Sequence, residues 1–142
     1  LEQAHYDFGK VWHIDCHSMP SGIGRKLPVS LLSTQPDFVL GDRDGTSCDL
    51  SFRNAIESFL KGLGYRVAIN DPYKGVEILR RYGNPAKGFN SLQLEINKSL
   101  YWDEIKNCPS QGFGALRQDI EKLVSFCASW VADELNQRLA AD

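Results

Sequence analysis

Hydrophobic residues along the chain recur with two different periods. In Lys10–His17, Trp12, Ile14 and Cys16 alternate with His13, Asp15 and His17. In Ser91–Asn97, Leu92, Leu94 and Ile96 alternate with Gln93, Glu95 and Asn97. Successive side chains of a strand point to opposite faces, so both segments read as strands with one apolar and one polar face. Asp37–Gly41, with Phe38, Val39 and Leu40, is a short apolar run, and Tyr65–Asn70 is a further strand stopped by Asp71-Pro72. The helical period is clearest in Ser51–Leu63, where Phe52, Ala55, Ile56, Phe59, Leu60 and Leu63 form one stripe. Ser51 is the expected N-cap and Gly64 the stop. A long final helix is expected from Gly114 to Leu139, turning Leu116, Ile120, Leu123, Cys127, Trp130, Val131 and Leu135 inward. Glu77–Tyr82 reads as a short helical turn, and Leu1–Phe8 as the tail of a helix stopped by Gly9. Residues 19–35, with Pro20, Gly22, Gly24 and Pro28, and residues 42–48 read as loops.

Short strands alternating with helices imply an α/β domain with a largely parallel sheet. There is no internal repeat, low-complexity tract or linker, so residues 1–142 are expected to form one domain. Four strands and two main helices are few for a sheet covered on both faces. The sheet is therefore expected to be incomplete at its N-terminal side, in a chain that begins within a helix and is cut from something longer. An exposed sheet edge then offers a route to self-association.

Composition narrows the chemistry without naming it. The chain is 42% hydrophobic and 24% charged, as in an ordinary soluble globular domain. A net charge of -2 without a basic stripe argues against nucleic acid as a partner, and an anionic substrate would need local cations. No stretch has the apolar length of a membrane span, and no signal peptide opens the chain. Cys16, Cys48, Cys108 and Cys127 are widely spaced and form no C-x-x-C pair. That is a poor disulfide framework and a poor structural zinc signature, so reduced thiols in a cytoplasmic protein are expected.

Polar residues on the strands of a covered sheet need a reason, because an unpartnered buried polar group costs on the order of 1–3 kcal/mol. Solvated edge strands would account for the alternation by themselves. The chemistry of the polar positions points further. Asp15-Cys16-His17-Ser18 puts an imidazole at the end of a strand, where open α/β sheets place their ligands, and neutral imidazole is a common metal ligand. Glu95, on a second strand, is the type of group that takes a proton from a metal-bound water. Arg43 and Lys74 lie in turn-rich loops just after strands, and Arg80 follows on the short helix. A single loop cation is ordinarily solvated surface. Three of them near one candidate site suggest a grip on a carboxylate, for which guanidinium is suited.

Five blocks together resemble the N-formylglutamate amidohydrolase family. They are Asp15-Cys16-His17-Ser18-Met19-Pro20, Val39-Leu40-Gly41-Asp42-Arg43, Gly45-Thr46-Ser47-Cys48, Asn70-Asp71-Pro72-Tyr73-Lys74-Gly75 and Leu92-Gln93-Leu94-Glu95-Ile96-Asn97. They occur in the family's order, in a resemblance running from His13 to Glu104. The resemblance implies the fold of the zinc carboxypeptidases and aspartoacylases, a three-layer α/β/α arrangement around a mixed, mostly parallel sheet of phosphorylase/hydrolase type. It implies zinc-dependent hydrolysis of a linear amide, typically N-formyl-L-glutamate to glutamate and formate in histidine breakdown, with an N-acyl amino acid as the small-molecule substrate. By motif, His17 would be a zinc ligand and Glu95 the general base. Arg43, Lys74, Arg80 and Asn97 would bind the carboxylates or the carbonyl of the substrate.

The chain also departs from the family pattern. The N-terminal block that supplies the other zinc ligands has no counterpart, which makes this the C-terminal portion of an amidohydrolase domain, expected to be inactive alone. Val76 replaces a glycine usual after Lys-Gly and should stiffen that loop, and Lys98 stands where arginine is common. His5 and His13 read as structural or exposed rather than as substitute ligands. Two other readings stay open: another zinc hydrolase of the superfamily, such as a deacylase or peptidase, and a non-catalytic interaction domain that kept the fold.

Overall fold

A computed structural model describes residues 1–22 and 34–139, so most of the loop expected over 19–35 lies outside the described residues. In chain order the elements are α1 (Glu2–Phe8), β1 (Val11–Met19), β2 (Phe38–Gly41), α2 (Leu50–Gly62), β3 (Val67–Ile69), α3 (Glu77–Tyr82), β4 (Phe89–Asn97), β5 (Trp102–Asp103), β6 (Cys108–Pro109) and α4 (Phe113–Leu139). Single 3-10 turns occupy Pro85–Lys87 and Lys98–Leu100. The main sheet runs in the order β1-β4-β2-β3, and β5 and β6 form a separate antiparallel ribbon.

The sheet is mixed. β1 pairs with β4 in parallel and β2 with β3 in parallel, but the two pairs meet antiparallel at β2 and β4. Helices flank it, as the α/β pattern requires. On one face Phe38, Leu40, Leu92 and Leu94 pack with Phe52, Ile56 and Leu60 of α2 and with Leu116, Leu123 and Cys127 of α4. Trp130 of α4 sits edge-on to Trp12 at 6.1 Å and tilted against Phe52 at 5.1 Å, while Phe59 stacks on Phe126 at 4.5 Å. Such aromatic pairs add stabilisation beyond their buried area. The short helix α3 packs against β4 and buries Leu79 completely.

Several boundaries shift for identifiable reasons. Helix α2 starts at Leu50, so Ser51 lies inside it and Asp49 takes the N-cap position. The Asp49 carboxylate makes no cap bond; it pairs with Lys10 at 3.2 Å, while its backbone N–H donates to Asn90 Oδ1 at 2.8 Å. The helix stops as expected at Gly64, with φ +93. Gly64 N–H donates to the Lys61 carbonyl (2.9 Å) and Tyr65 N–H to the Leu60 carbonyl (3.1 Å), the paired bonds of a Schellman close. Strand β3 is shorter than the Tyr65–Asn70 pattern, because Arg66 N–H is drawn to Asp37 Oδ2 (2.8 Å) and Asn70 adopts φ 56. Strand β1 is longer and includes Met19. Val76 has φ -95 and ψ -170, an extended conformation that a β-branched residue adopts readily. Among the described residues no helix is long and apolar enough to cross a membrane.

Candidate functional site

The β1–β4 register places His13 beside Ser91, Asp15 beside Gln93 and His17 beside Glu95. The polar faces of the two strands are therefore one continuous surface. Val39 stands opposite Glu95 and Gly41 opposite Gln93 on β2, so the surface extends across three strands.

His17 Nε2 donates to Asp15 Oδ2 at 2.9 Å, two residues back on the same face of β1. A neutral ring committed in this way presents Nδ1 as its lone-pair nitrogen. Glu95 is 6% exposed, and its Oε1 accepts from Gln93 Nε2 at 2.7 Å. Burial raises the proton affinity of Glu95 above the usual carboxylate range; neighbouring His17 and the Gln93 bond oppose that shift, and Asp15 adds to it. Gln93, 1% exposed, accepts the backbone N–H of Val76 on its Oε1 at 3.0 Å.

The cationic loops reach this surface from a direction the sequence did not suggest. β2 runs opposite to β4, so Arg43 follows β2 toward the start of β4 and away from Glu95. β2 ends at Gly41, beside Gln93, so Arg43 lies two residues past the strand, in the turn that follows. The two loops are locked together. Arg43 N–H donates to the Lys74 carbonyl at 2.8 Å, and a Cβ on Gly41 would lie 2.8 Å from the carbonyl carbon of Lys74 and 2.9 Å from the nitrogen of Gly75. Only glycine lets the Lys74–Gly75 backbone rest on β2 at that point.

Beneath this contact lies Asp42, 0% exposed. Its Oδ1 accepts from Gly45 N–H (2.8 Å) and Asn70 Nδ2 (2.7 Å), and Arg53 Nη1 lies 3.5 Å from Oδ2. These bonds hold Arg43 and Asp44 at φ 53 and 58, a region non-glycine residues seldom occupy. Lys74 Nζ pairs with Asp44 at 2.9 Å on the open surface. Arg80 grips Glu77 through Nε at 2.7 Å and again through Nη2, also exposed. The Arg80 bond chiefly, with Arg43 and Arg81 nearby, favours the ionised form of Glu77 against an opposing effect of burial. Asn97 is occupied at both ends, donating to the Pro36 carbonyl (2.9 Å) and accepting Ser99 N–H (3.0 Å). The structure thus brings His17, Asp15, Glu95 and Gln93 together, leaves Arg43, Lys74 and Arg80 on the adjoining loops and short helix with Lys74 and Arg80 each paired to a carboxylate, and places Asn97 at the end of β4.

Of the other histidines, His5 stacks on Phe89 at 3.9 Å with Nε2 2.7 Å from the Lys87 carbonyl, and His13 Nδ1 lies 2.9 Å from Ser91 Oγ. Asp15, Gln93, Asp42 and Asn70 are the polar residues that residue-by-residue reading passed over. All four fall within the sequence blocks quoted above, and Asp15 and Gln93 also share the polar strand face.

Residues 1–102 match the family described as N-formylglutamate amidohydrolase. The chain belongs to this family. It is 34% identical over 105 residues to an N-formylglutamate deformylase of Pseudomonas putida, covering 73% of this chain and 38% of that protein. A Pseudomonas aeruginosa protein of the same description is 32% identical over 103 residues, covering 72% of this chain and 36% of that one. The crystal structure of N-formylglutamate amidohydrolase from Ralstonia eutropha JMP134 superposes with a TM-score of 0.79 at 39% identity. That superposition covers 96% of this chain and 47% of the other. The chain thus spans less than half the length of each of these family members. The match includes all five sequence blocks and both loops that meet over Gly41.

Proposed function

We propose that this chain supplies the general base and part of the substrate site of an amidohydrolase that cleaves N-formyl-L-glutamate into L-glutamate and formate. The observation that carries the reading is Glu95: a buried carboxylate of raised proton affinity, beside an imidazole, on a polar sheet face. Such a carboxylate suits removal of a proton from water as it attacks the formyl carbon. The same proton can then pass to the departing amine nitrogen as the C–N bond breaks. Arg43, Lys74 and Arg80 are the groups suited to the substrate carboxylates, for which Lys74 and Arg80 would exchange Asp44 and Glu77, while Asn97, already bonded to Pro36 and Ser99, is assigned no substrate contact.

Zinc is part of this proposal in a restricted form. A catalytic zinc site takes three protein ligands, and among the described residues no group of three His, Cys, Asp or Glu could hold a metal ion. The described residues therefore do not make up a zinc site by themselves. His17, oriented by Asp15, is proposed as one ligand, with the others outside the described residues. For the same reason the 142-residue chain alone is expected to show no turnover.

The test is formate release from N-formyl-L-glutamate by a family-length polypeptide carrying this chain. Glu95→Gln keeps the shape but cannot take the proton, and is expected to lower kcat by roughly 10²–10⁴ with KM little changed. Turnover near wild type in that variant would make Glu95 a structural residue and end the proposal.

A further inference from the structure

Gln93 is among the largest fully buried side chains, yet it is an uncharged amide on a polar face between two loops and a carboxylate. Both ends of the amide are committed. Its oxygen accepts Val76 N–H (3.0 Å), and its nitrogen donates to Glu95 Oε1 (2.7 Å). The polarity of one bond therefore fixes the other: only while Val76 holds the oxygen does the nitrogen face the carboxylate. Val76 in turn follows Lys74 and Gly75, whose backbone rests on Gly41 directly across from Gln93. Among the described residues Glu95 Oε2 has no hydrogen-bond partner, so the amide also decides which carboxylate oxygen stays available.

We infer that Gln93 is a positioning residue that clamps Glu95 to the Lys74–Val76 loop, holding Oε1 and leaving Oε2 as the proton-accepting oxygen. The inference rests on the proposed role of Glu95, but the clamp can be measured without any activity. A loop that moves when a substrate carboxylate meets its lysine would, through this amide, move or release the base. An apolar residue of the same size would fill the space and lose that link.

The decisive measurement is backbone hydrogen exchange at Val76 in the 142-residue chain, read by NMR. Glu95→Leu leaves the Val76–Gln93 bond untouched in composition, yet removes the group that orients the amide. Exchange at Val76 is expected to rise roughly 3–10-fold, with the amides of β4 still protected. Gln93→Met, which deletes both bonds, should give an equal or larger rise. If Val76 exchanges at the wild-type rate in Glu95→Leu, Gln93 only anchors the loop and the clamp is overturned, whether or not Gln93→Met folds. In a family-length polypeptide, Gln93→Met should lower kcat for N-formyl-L-glutamate by roughly 10–100-fold, the scale of a small misplacement of a catalytic group. A rise in KM with kcat unchanged would contradict the positioning role. If the wild-type polypeptide releases no formate while the exchange effect persists, the proposed reaction fails and the clamp stands.

Discussion

Leu92 and Leu94 on one face of β4 are 0% and 3% exposed, and Gln93 and Glu95 on the other are 1% and 6% exposed. The two faces exclude water almost equally, but by different means. The leucines join a shared cluster with α2 and α4, where any well-shaped apolar neighbour contributes and no contact is individually required. Gln93 depends on two named partners, and losing either leaves a buried polar group unmatched. The apolar face should therefore dominate stability and the polar face should hold geometry.

The largest expected effect tests the apolar side. Leu94→Ala should lower the unfolding free energy by about 2–5 kcal/mol, measured by urea denaturation, because the surrounding core closes only partly on the space left. A loss under about 1 kcal/mol would mean that α4 is loosely seated. Gln93→Leu, one residue away, should cost less, about 1–3 kcal/mol, through the orphaned Val76 N–H and the unaccompanied carboxylate. If it cost more than Leu94→Ala, the contrast between the faces would be reversed.

A smaller effect concerns Tyr65, whose hydroxyl donates to Asp119 Oδ2 at 2.8 Å where α4 meets the start of β3. Burial and this bond push the Tyr65 hydroxyl up to about 12. A hydroxyl whose folded value exceeds its unfolded value of about 10 stabilises the fold below pH ~10, and that contribution is lost as pH rises from ~10 toward ~12. Denaturation midpoints measured between pH 9 and 12 should fall less in Tyr65→Phe than in the wild type, once the neutral-pH difference is subtracted. Parallel curves would show that the hydroxyl does not carry the dependence.

The smallest effect needs no substitution. All four cysteines are free. Burial pushes the Cys48 thiol up to about 12 and Cys127 up to about 11; burial and neighbouring Asp15 raise the Cys16 thiol as well, but Cys16 is exposed on β1 whereas the other two are buried. Limited alkylation of the native chain should label Cys16 well before Cys48 or Cys127, as peptide mass mapping would show. Early labelling of Cys48 would mean that the apolar face opens more readily than its packing suggests.

The elements were legible where a single period ran for several turns or strand residues. Helix α2 and the alternation of β4 could be read directly, since burial on one side imposes the pattern residue by residue. The Ser51 cap could not, because the choice between Asp49 and Ser51 was made by Lys10 and Asn90, which lie far away in sequence. The candidate site was legible as a set of residue types on two polar strand faces. The position of the cations was not, because nothing in residues 38–41 reveals that β2 would pair antiparallel to β4.

By itself the sequence determined the α/β class, the two-faced strands, the family, and the pairing of an imidazole strand with a carboxylate strand as candidates for chemistry. These are properties of local period and of residue order, which survive without knowledge of neighbours. Only the tertiary structure decided that His17 stands beside Glu95, that the Arg43 and Lys74 loops meet over Gly41, and that Gln93 spans from Val76 to Glu95. Each of these depends on strand order and register. A one-residue slip in β1 would turn His17 to the other face, and no local preference prevents it. The register follows from packing Trp12 and Ile14 on α2 and α4, a condition met only when distant segments fold together.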